Sequence, residues 1–203
     1  MTEISLKLLC LAAAYLLGAI PWGYLLARWQ LGGDIRTMGS GNVGAANVWR
    51  QGGRGLGLAV LLLDAGKGTA AVWIAARASG NSLTWMSLAG LAAMAGHVFP
   101  VFLGFKGGKA VATFFGCFLW LAPAPTGAAA LVWLGGTVLT RHTSVGSCLA
   151  VATYPLALWL ILHPPGVLVL VSVAAALLIL WRHRENFLRI RAGTEARIRL
   201  LGG

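Results

Sequence analysis

Long apolar runs constrain this sequence more than any other feature. Residues 4–26, 56–76 and 83–103 each exceed the about 20 helical residues that cross the hydrocarbon core of a bilayer. Hydrophobic residues make up 58% of the 203-residue chain and charged residues only 10%, so too little polar sequence remains to coat a soluble domain. The sequence therefore predicts one all-α domain over residues 1–203, a polytopic integral membrane helical bundle.

Four shorter apolar stretches raise the predicted number of transmembrane helices to about seven. They are residues 111–122, 126–139, 145–162 and 167–181, and prolines and charged residues separate them. Fusing residues 111–139 into one kinked span would give six spans instead. Twelve helical residues reach about 18 Å, well short of the roughly 30 Å core, so a hairpin that dips into the bilayer and returns is a third arrangement.

The distribution of positive charge favours seven spans. Sixteen Lys and Arg oppose five Asp and Glu, which gives a formal net charge of +11. With seven spans and the N-terminus outside, one face receives nearly all of these cations, including the arginines between residues 182 and 199. The other face receives only Lys7 and Arg77. The positive-inside rule then places the C-terminus in the cytoplasm.

The same orientation gathers every glycine-rich or polar stretch on the cytoplasmic side. These stretches are residues 34–54, 104–110, 141–147 and 182–197. Because the cations occur in short segments between apolar spans, we expect membrane lipids and anionic substrates as partners, and no nucleic acid. The sequence predicts a single active site at the cytoplasmic face.

Several reaction types find no matching residues. The GxGxxG pattern at residues 39–44 lacks the preceding strand of a dinucleotide fold, and residues 104–109 are one residue short of a nucleotide-binding P-loop. The five scattered carboxylates supply no Mg²⁺ cluster, and the three cysteines show no zinc spacing. No GxSxG elbow is present, and no histidine has an aspartate five residues on. We therefore expect no metal, no cofactor and no conventional acid–base pair.

The first polar loop has the composition of a phosphate-binding site. Ser40, Asn42, Asn47 and Arg50 lie among glycines that include Gly41. Glycine lets backbone N–H groups turn toward an anion in a concave nest. The alternative for each residue is structural, because glycines often pack or cap helices and loop arginines often only fix membrane topology.

Two further stretches resemble the first in character. Lys106 and Lys109 flank Gly107 and Gly108 just before a predicted helix, where amide groups and the helix dipole favour anions. A third polar stretch follows the last predicted span and contains His183, Arg184, Glu185 and Asn186. The presence of three such stretches on one face favours a phosphate-binding site over a chance grouping of residues with structural roles.

Charged residues also occur inside the apolar segments. Asp64 and Lys67 are three residues apart on one side of a predicted helix, and we interpret them as a mutual ion pair that satisfies two costly intramembrane charges. His97 lies at the inner end of the third span. It is interpreted as a structural histidine or as one that orients the adjacent loop.

Four blocks of the chain resemble the signature blocks of a known family, in the same order. The family is the bacterial acyl-phosphate:glycerol-3-phosphate acyltransferases, integral-membrane enzymes that make lysophosphatidic acid. The blocks are GSGNVGAAN with Arg50, LLLDAGKG, GHVFPVFLGFKGGKAVAT and HRENFLRIRAGTE. They extend over most of the chain, from about residue 34 to residue 197.

The resemblance implies a seven-helix enzyme of the bacterial inner membrane that needs no cofactor. Its reaction would transfer a fatty acyl group from acyl phosphate to the sn-1 hydroxyl of glycerol 3-phosphate and release inorganic phosphate, a step of phospholipid biosynthesis. The implied partners are those two substrates, membrane lipids and the upstream enzyme that forms acyl phosphate.

The family pattern also assigns roles to residues of this chain. The positions implied to act directly on substrate are Ser40, Arg50, Lys109, His183 and Asn186. Further substrate-binding positions are Gly41, Asn42, Asn47, Gly107, Gly108, Ser147 and Glu185. Within this set, Gly107 and Gly108 would shape their loop and Glu185 would buttress the site.

Two residues depart from the family pattern. Ala46 stands where the family usually has Thr, which removes a hydroxyl contact to phosphate. Ala110 stands where the family usually has Gly, which makes the entry into the following helix less flexible. We expect these departures to alter affinity rather than to abolish activity.

Two other functional classes share part of the pattern. A transporter of phosphorylated metabolites would also use basic loops and broken helices, but it predicts an inverted repeat and charges along a central path, and the sequence shows neither. A noncatalytic lipid-binding scaffold would explain the basic face but not three separate glycine-marked stretches.

Overall fold

The computed structural model describes residues 2–198, and the predicted tail cation Arg199 lies outside them. The described residues form nine α-helices, two short 3-10 helices and no strand. The α-helices are α1 (Glu3–Ala19), α2 (Trp22–Leu31), α3 (Ala45–Ala78), α4 (Leu83–Val98), α5 (Val111–Leu121), α6 (Pro123–Thr140), α7 (Thr143–Leu162), α8 (Gly166–Arg182) and α9 (Arg184–Arg191).

Several helical stretches are long and apolar enough to cross a bilayer. Four such stretches occur among the described residues, namely Glu3–Leu31, Ala45–Ala78, Leu83–Leu103 and Thr143–Leu162. The pair α8 and α9, bent by 44°, gives a fifth if it is taken as one span. The prediction of an all-α chain with several membrane-capable helices is confirmed.

The first predicted span, residues 4–26, is broken. Helix α1 ends at Ala19, Ile20 is extended, and α2 begins at Trp22 after Pro21. Proline has no N–H to donate and disfavours helical geometry in the preceding residue, so the helix ends there. Lys67 Nζ donates a hydrogen bond of 2.9 Å to the Ile20 carbonyl left at this break.

The second predicted span begins much earlier than residue 56. Helix α3 starts at Ala45, so part of the predicted 34–54 loop is helical. Gly53 interrupts this helix with a φ of 88°, which is a conformation that glycine adopts at little cost. The interruption separates a first segment, which carries Arg50, from the apolar segment that follows.

Other boundaries also differ from those predicted. The membrane-capable stretch Leu83–Leu103 has the predicted bounds, but within it α4 ends at Val98, because Pro100 follows and caps a 3-10 helix over Val101–Leu103. Helix α6 occupies Pro123–Thr140 and is longer than the predicted 126–139, since proline is well tolerated at the first helical position. The predicted 182–197 loop contains the helix α9.

The chain divides into two compact units, one up to Leu121 and one from Ala122 onward. In the first unit α1 packs on α4, and α3 packs on α4 and α5. The α1–α4 contact depends on glycine, because a Cβ atom on Gly18 would lie 2.0 Å from the Ala93 carbonyl oxygen. In the second unit α7 packs on α6 and on α8.

Candidate active site

Asn47 holds the first polar loop together. Its side chain is 1% exposed, and its Nδ2 donates to the carbonyl oxygens of Met38 and Asn42, each at 3.0 Å. Its Oδ1 accepts the N–H of Ser40 at 3.0 Å. Both amide hydrogens are therefore used within the loop, so the structure gives Asn47 a shaping role, and its contact with substrate stays a prediction.

The amide groups of this loop are also used internally. Gly41 N–H donates to the Met38 carbonyl at 3.0 Å, and Gly44 N–H donates to Asn42 Oδ1 at 2.7 Å. Gly41 has a φ of 70°, which this tight turn requires. The predicted nest of N–H groups around an anion is therefore not formed at these positions, and Asn42, like Asn47, braces the loop.

Ser40 and Arg50 are two predicted site residues whose side chains are accessible at this loop. Both are exposed, and Arg50 Nη2 lies 3.5 Å from Ser40 Oγ. The loop and the first segment of α3 thus bring together two predicted site residues that are ten positions apart. A guanidinium beside a hydroxyl is a set of donors suited to the oxygens of a phosphate.

Gly107 and Gly108 form a closed turn against the end of α4. Their N–H groups donate to the carbonyls of Val98 and His97, each at 3.1 Å. A Cβ atom on Gly107 would lie 2.2 Å from the His97 carbonyl oxygen, and one on Gly108 would lie 2.2 Å from His97 Nε2. The two glycines therefore shape the turn through close packing, and their amides donate to backbone carbonyls of α4.

Lys109 follows this turn and is half-buried at the start of α5. The first N–H groups of a helix have no carbonyl partner within it, so an ammonium group here adds charge to an end that already favours anions. Ala110 has a φ of 59°, a left-handed conformation that strains any residue with a Cβ atom. Glycine would adopt this conformation at little cost, so the geometry suits the glycine that the resemblance led us to expect at this position.

The predicted ion pair of Asp64 and Lys67 is confirmed. Lys67 Nζ lies 2.8 Å from Asp64 Oδ1, and both side chains are 3% exposed. His97 Nδ1 lies 3.6 Å from the same oxygen. His97 therefore belongs to a buried cluster of charged and polar groups in the first unit.

His183 is buried at the end of α8 in the second unit. Its Nδ1 lies 2.8 Å from the Ile179 carbonyl oxygen. A carbonyl only accepts, so the hydrogen of this bond is on Nδ1, and in the neutral ring Nε2 is then the acceptor. The structure thus sets the tautomer in which His183 can accept a hydrogen bond from a hydroxyl group.

Glu195 organises the segment around Asn186. Glu195 Oε1 accepts hydrogen bonds from Asn186 Nδ2 at 2.5 Å and from Ser144 Oγ at 3.0 Å, and its Oε2 accepts from Arg189 Nε at 2.7 Å. Burial alone would raise the pKa of Glu195, but these hydrogen bonds outweigh burial and the net pKa is lowered. The carboxylate therefore ties α9 to the start of α7.

We call these hydrogen bonds of Glu195 to Asn186, Ser144 and Arg189 the Glu195 brace. They change the expectation for Glu185. Glu185 is exposed and lies 3.9 Å from Arg184, so Glu195 performs the buttressing expected of Glu185. Sequence reasoning missed Glu195 and Ser144. The sequence contained a signal for this contact, because Gly193 predicts a turn. Gly193 has a φ of 70°, and the turn reverses the chain so that an acidic residue can reach a cation six positions earlier.

Ser147 lies inside α7 and is 6% exposed. Its hydroxyl donates to the Thr143 carbonyl at 2.8 Å and accepts from Trp133 Nε1 at 3.2 Å. These contacts give it a role in helix packing within the second unit, and its contact with substrate stays a prediction.

Comparison with known proteins identifies the family of this chain. Residues 8–193 match the model of the family described as glycerol-3-phosphate acyltransferase. The glycerol-3-phosphate acyltransferase of Agrobacterium fabrum (strain C58) is 48% identical over 193 residues, which cover 94% of this chain and 92% of that protein. The enzyme of the same name from Synechococcus sp. (strain CC9902) is 50% identical and covers 95% of each chain. The chain belongs to the glycerol-3-phosphate acyltransferase family.

Solved structures of this family share the fold. The crystal structure of PlsY, described as an integral membrane glycerol 3-phosphate acyltransferase in its glycerol 3-phosphate form, superposes with a TM-score of 0.88 at 39% identity. That superposition covers 95% of this chain and 96% of PlsY. The lysophosphatidic acid form of PlsY superposes with a TM-score of 0.84. This family member is thus an acyltransferase with the fold of an integral membrane enzyme.

Proposed function

We propose that this chain transfers a fatty acyl group from acyl phosphate to the sn-1 hydroxyl of glycerol 3-phosphate, giving lysophosphatidic acid and inorganic phosphate. The family match supports glycerol 3-phosphate as the acceptor and lysophosphatidic acid as the product. The choice of donor rests on a separate observation, which concerns the carboxylates.

Every carboxylate side chain of the protein already has a basic partner. The pairs, none longer than 3.9 Å, are Glu3–Lys7, Asp34–Arg36, Asp64–Lys67, Glu185–Arg184 and Glu195–Arg189. A general base that activates an alcohol against an unactivated or weakly activated acyl group needs a carboxylate or a carboxylate-supported histidine near the hydroxyl. The histidine that lies next to a carboxylate, His97 beside Asp64, is in a buried cluster in which Asp64 also pairs with Lys67. Paired carboxylates favour a donor that carries its own activation, and this observation carries the proposal for acyl phosphate.

The chemistry of acyl phosphate suits such a site. The hydroxyl oxygen of glycerol 3-phosphate attacks the acyl carbon and forms the ester bond, while the bond from that carbon to the phosphate oxygen breaks. Inorganic phosphate leaves with the electron pair and accepts the hydroxyl proton. The protein then needs mainly to position the reactants and to stabilise charge.

The roles of the side chains follow from their chemistry. In the first unit, Ser40, Arg50 and Lys109 bind phosphate oxygens. In the second unit, His183 accepts from the glycerol hydroxyl through Nε2, and Asn186 aligns the glycerol. The hydrogen bond from Nδ1 to the Ile179 carbonyl and the bond from Asn186 to Glu195 hold these two side chains in place.

The proposed setting is the bacterial inner membrane. Seven spans, with the N-terminus outside and the C-terminus in the cytoplasm, place the basic loops at the inner leaflet. The acyl chain then stays among the membrane-capable helices while the phosphate groups meet the cytoplasmic loops. Acyl phosphate must come from an upstream enzyme that makes a mixed anhydride from an activated acyl group and inorganic phosphate.

The proposal is tested by product analysis with detergent-purified protein. Palmitoyl phosphate and glycerol 3-phosphate should give lysophosphatidic acid and inorganic phosphate in equal amounts, with the acyl group on the sn-1 oxygen by NMR. Arg50→Ala serves as the inactive control, because it removes a proposed phosphate contact. Release of phosphate without ester formation, or acylation at the second hydroxyl, would contradict the proposal.

A further inference from the structure

His97 contacts three separate elements of the first unit. It lies on α4, its Nδ1 is 3.2 Å from Thr113 Oγ1 on α5, and the same nitrogen is 3.6 Å from Asp64 Oδ1 on α3. The other edge of the ring faces the glycine turn, because a Cβ atom on Gly108 would lie 2.2 Å from Nε2. The turn that precedes Lys109 therefore rests on this imidazole ring.

Lys67 extends the cluster to the break between α1 and α2. Its Nζ lies 2.8 Å from Asp64 Oδ1 and donates to the Ile20 carbonyl at 2.9 Å. A small cavity lined by Asp64, Lys67 and His97 has a volume of about 10 Å³, room for about one water molecule. One buried network thus connects the helix break, three helices and the glycine turn.

Stability does not explain why the protein has this buried network, because burying charged groups costs free energy. Taking charged groups out of water is expensive, and replacing a buried ion pair by apolar residues of similar volume is often neutral or stabilising. A membrane helix is a costly place for Asp64 and Lys67. The position of the cluster, beneath the turn that leads into Lys109, supplies the explanation.

We propose that Asp64, Lys67, His97 and Thr113 form a positioning cluster that holds the Gly107–Gly108 turn, and through it Lys109, in the geometry that receives a substrate phosphate. The inference rests on the proposed function, since it takes Lys109 to be a phosphate ligand. None of the four cluster residues touches substrate in this arrangement. They act through the turn.

The mildest test removes one contact without changing shape. Thr113→Val keeps the volume of the side chain and removes the hydroxyl that faces His97 Nδ1. Loss of one such hydrogen bond should lower kcat/KM about fivefold while the melting temperature in detergent stays near that of the wild type. Ser87→Ala is the matched control, because Ser87 is a buried residue of α4 whose hydroxyl donates to the Leu83 carbonyl of its own helix. Its kcat/KM should be unchanged.

A pair of substitutions at His97 gives a second readout. His97→Asn keeps a polar atom near the position of Nδ1, whereas His97→Leu keeps a similar volume without one. Partial rescue of kcat/KM by the asparagine variant over the leucine variant is expected. A double-mutant cycle between Thr113→Val and His97→Leu should be non-additive, because both changes break the same contact.

Hydrogen exchange measures the turn independently of catalysis. In Thr113→Val the amides of residues 104–110 should exchange about fivefold faster, while peptides from α6 and α7 stay as in the wild type. If wild-type protein makes no lysophosphatidic acid, the proposed function fails, and unchanged exchange in this turn would separately overturn the inference. Faster exchange with wild-type kcat/KM would overturn it as well. A His97→Leu variant in which the rate no longer falls at low pH, with the rest of the pH–rate profile unchanged, would also overturn the inference. That result would identify His97 as a proton acceptor.

Discussion

Individual side chains in the first polar loop divide into those that build it and those that it presents. Asn47 and Arg50 are three positions apart and both polar, yet Asn47 is buried with its amide hydrogens bonded and Arg50 is exposed beside Ser40. The sequence predicts both as site residues because composition and glycine spacing identify the loop. It does not separate the two roles, because the partners of an amide group depend on how the backbone folds around it.

Arg50→Ala and Lys109→Ala should each lower kcat/KM by about 10²–10³-fold, the effect of removing one donor that stabilises charge in a transition state. Neither change should lower the melting temperature in detergent by more than a few degrees. Arg54→Ala and Lys106→Ala are matched controls, because they remove neighbouring exposed cations of the same loops. Equal losses in the controls would show a general effect of loop charge and contradict the assignment.

The brace at Glu195 makes a prediction about pH. The pKa of its carboxylate is lowered below the ordinary 4.5, so the bonds to Asn186 and Ser144 stabilise the fold above that pH and are lost as the pH falls through the lowered pKa. Glu195→Gln should cost about 1 kcal/mol at pH 7, after allowance for partial exposure. The melting temperatures of the variant and the wild type should converge as the pH falls below 4.5 and through the lowered pKa.

Glu185→Gln provides the comparison for that experiment. It makes the same chemical change at an exposed carboxylate of α9 that pairs with Arg184 rather than with the residues bonded to Glu195, so its melting temperature should follow the wild type at every pH. A gap between Glu195→Gln and the wild type that persists undiminished to pH 3 would mean that the charge of Glu195 is not the stabilising feature.

At the scale of the elements, hydropathy predicts where apolar helices occur but not where they break. The break at Pro21 and the early start of α3 both depart from the predicted spans. Hydropathy averages over a window and is insensitive to one proline or to one glycine with positive φ, such as Gly53. The start of α3 was missed because residues 34–54 were assigned to one loop from their glycines and polar residues, although Ala45, Ala46 and Gln51 are good helix formers.

Helix contacts in the first unit give a prediction for two glycines of α3. A Cβ atom on Gly68 would lie 2.5 Å from the Thr113 carbonyl oxygen of α5, whereas one on Gly66 would meet nothing within 4 Å. Gly68→Ala should therefore destabilise the protein by about 1–3 kcal/mol, because α3 and α5 must separate. Gly66→Ala should be neutral or stabilise by up to about 1 kcal/mol, because alanine is the better helix former.

Unfolding in mixed detergent micelles, followed by circular dichroism, measures both variants. Two substitutions of the same kind in the same helix differ only in what the new methyl group meets. Similar unfolding free energies for the two variants would contradict the packing of α3 against α5.

At the scale of the whole molecule, the family and the all-α membrane architecture were predictable from sequence, because apolar length, charge distribution and ordered motifs are all local properties. The orientation in the membrane is a further prediction. After Gly203, a fused reporter enzyme that works only in the cytoplasm should be active. Before Met1, a fused reporter enzyme that works only outside the cytoplasm should be active. A C-terminus outside the cell would place His183 and Asn186 on the external side of the membrane, which contradicts the predicted cytoplasmic location of these residues.

Donor preference tests the central claim most directly. The claim is that a chain whose five carboxylates are all ion-paired uses an acyl donor that brings its own leaving group and proton acceptor. Purified protein should form lysophosphatidic acid from palmitoyl phosphate and glycerol 3-phosphate, and should form none above background from palmitoyl-CoA under the same conditions. Comparable rates with palmitoyl-CoA would contradict the claim.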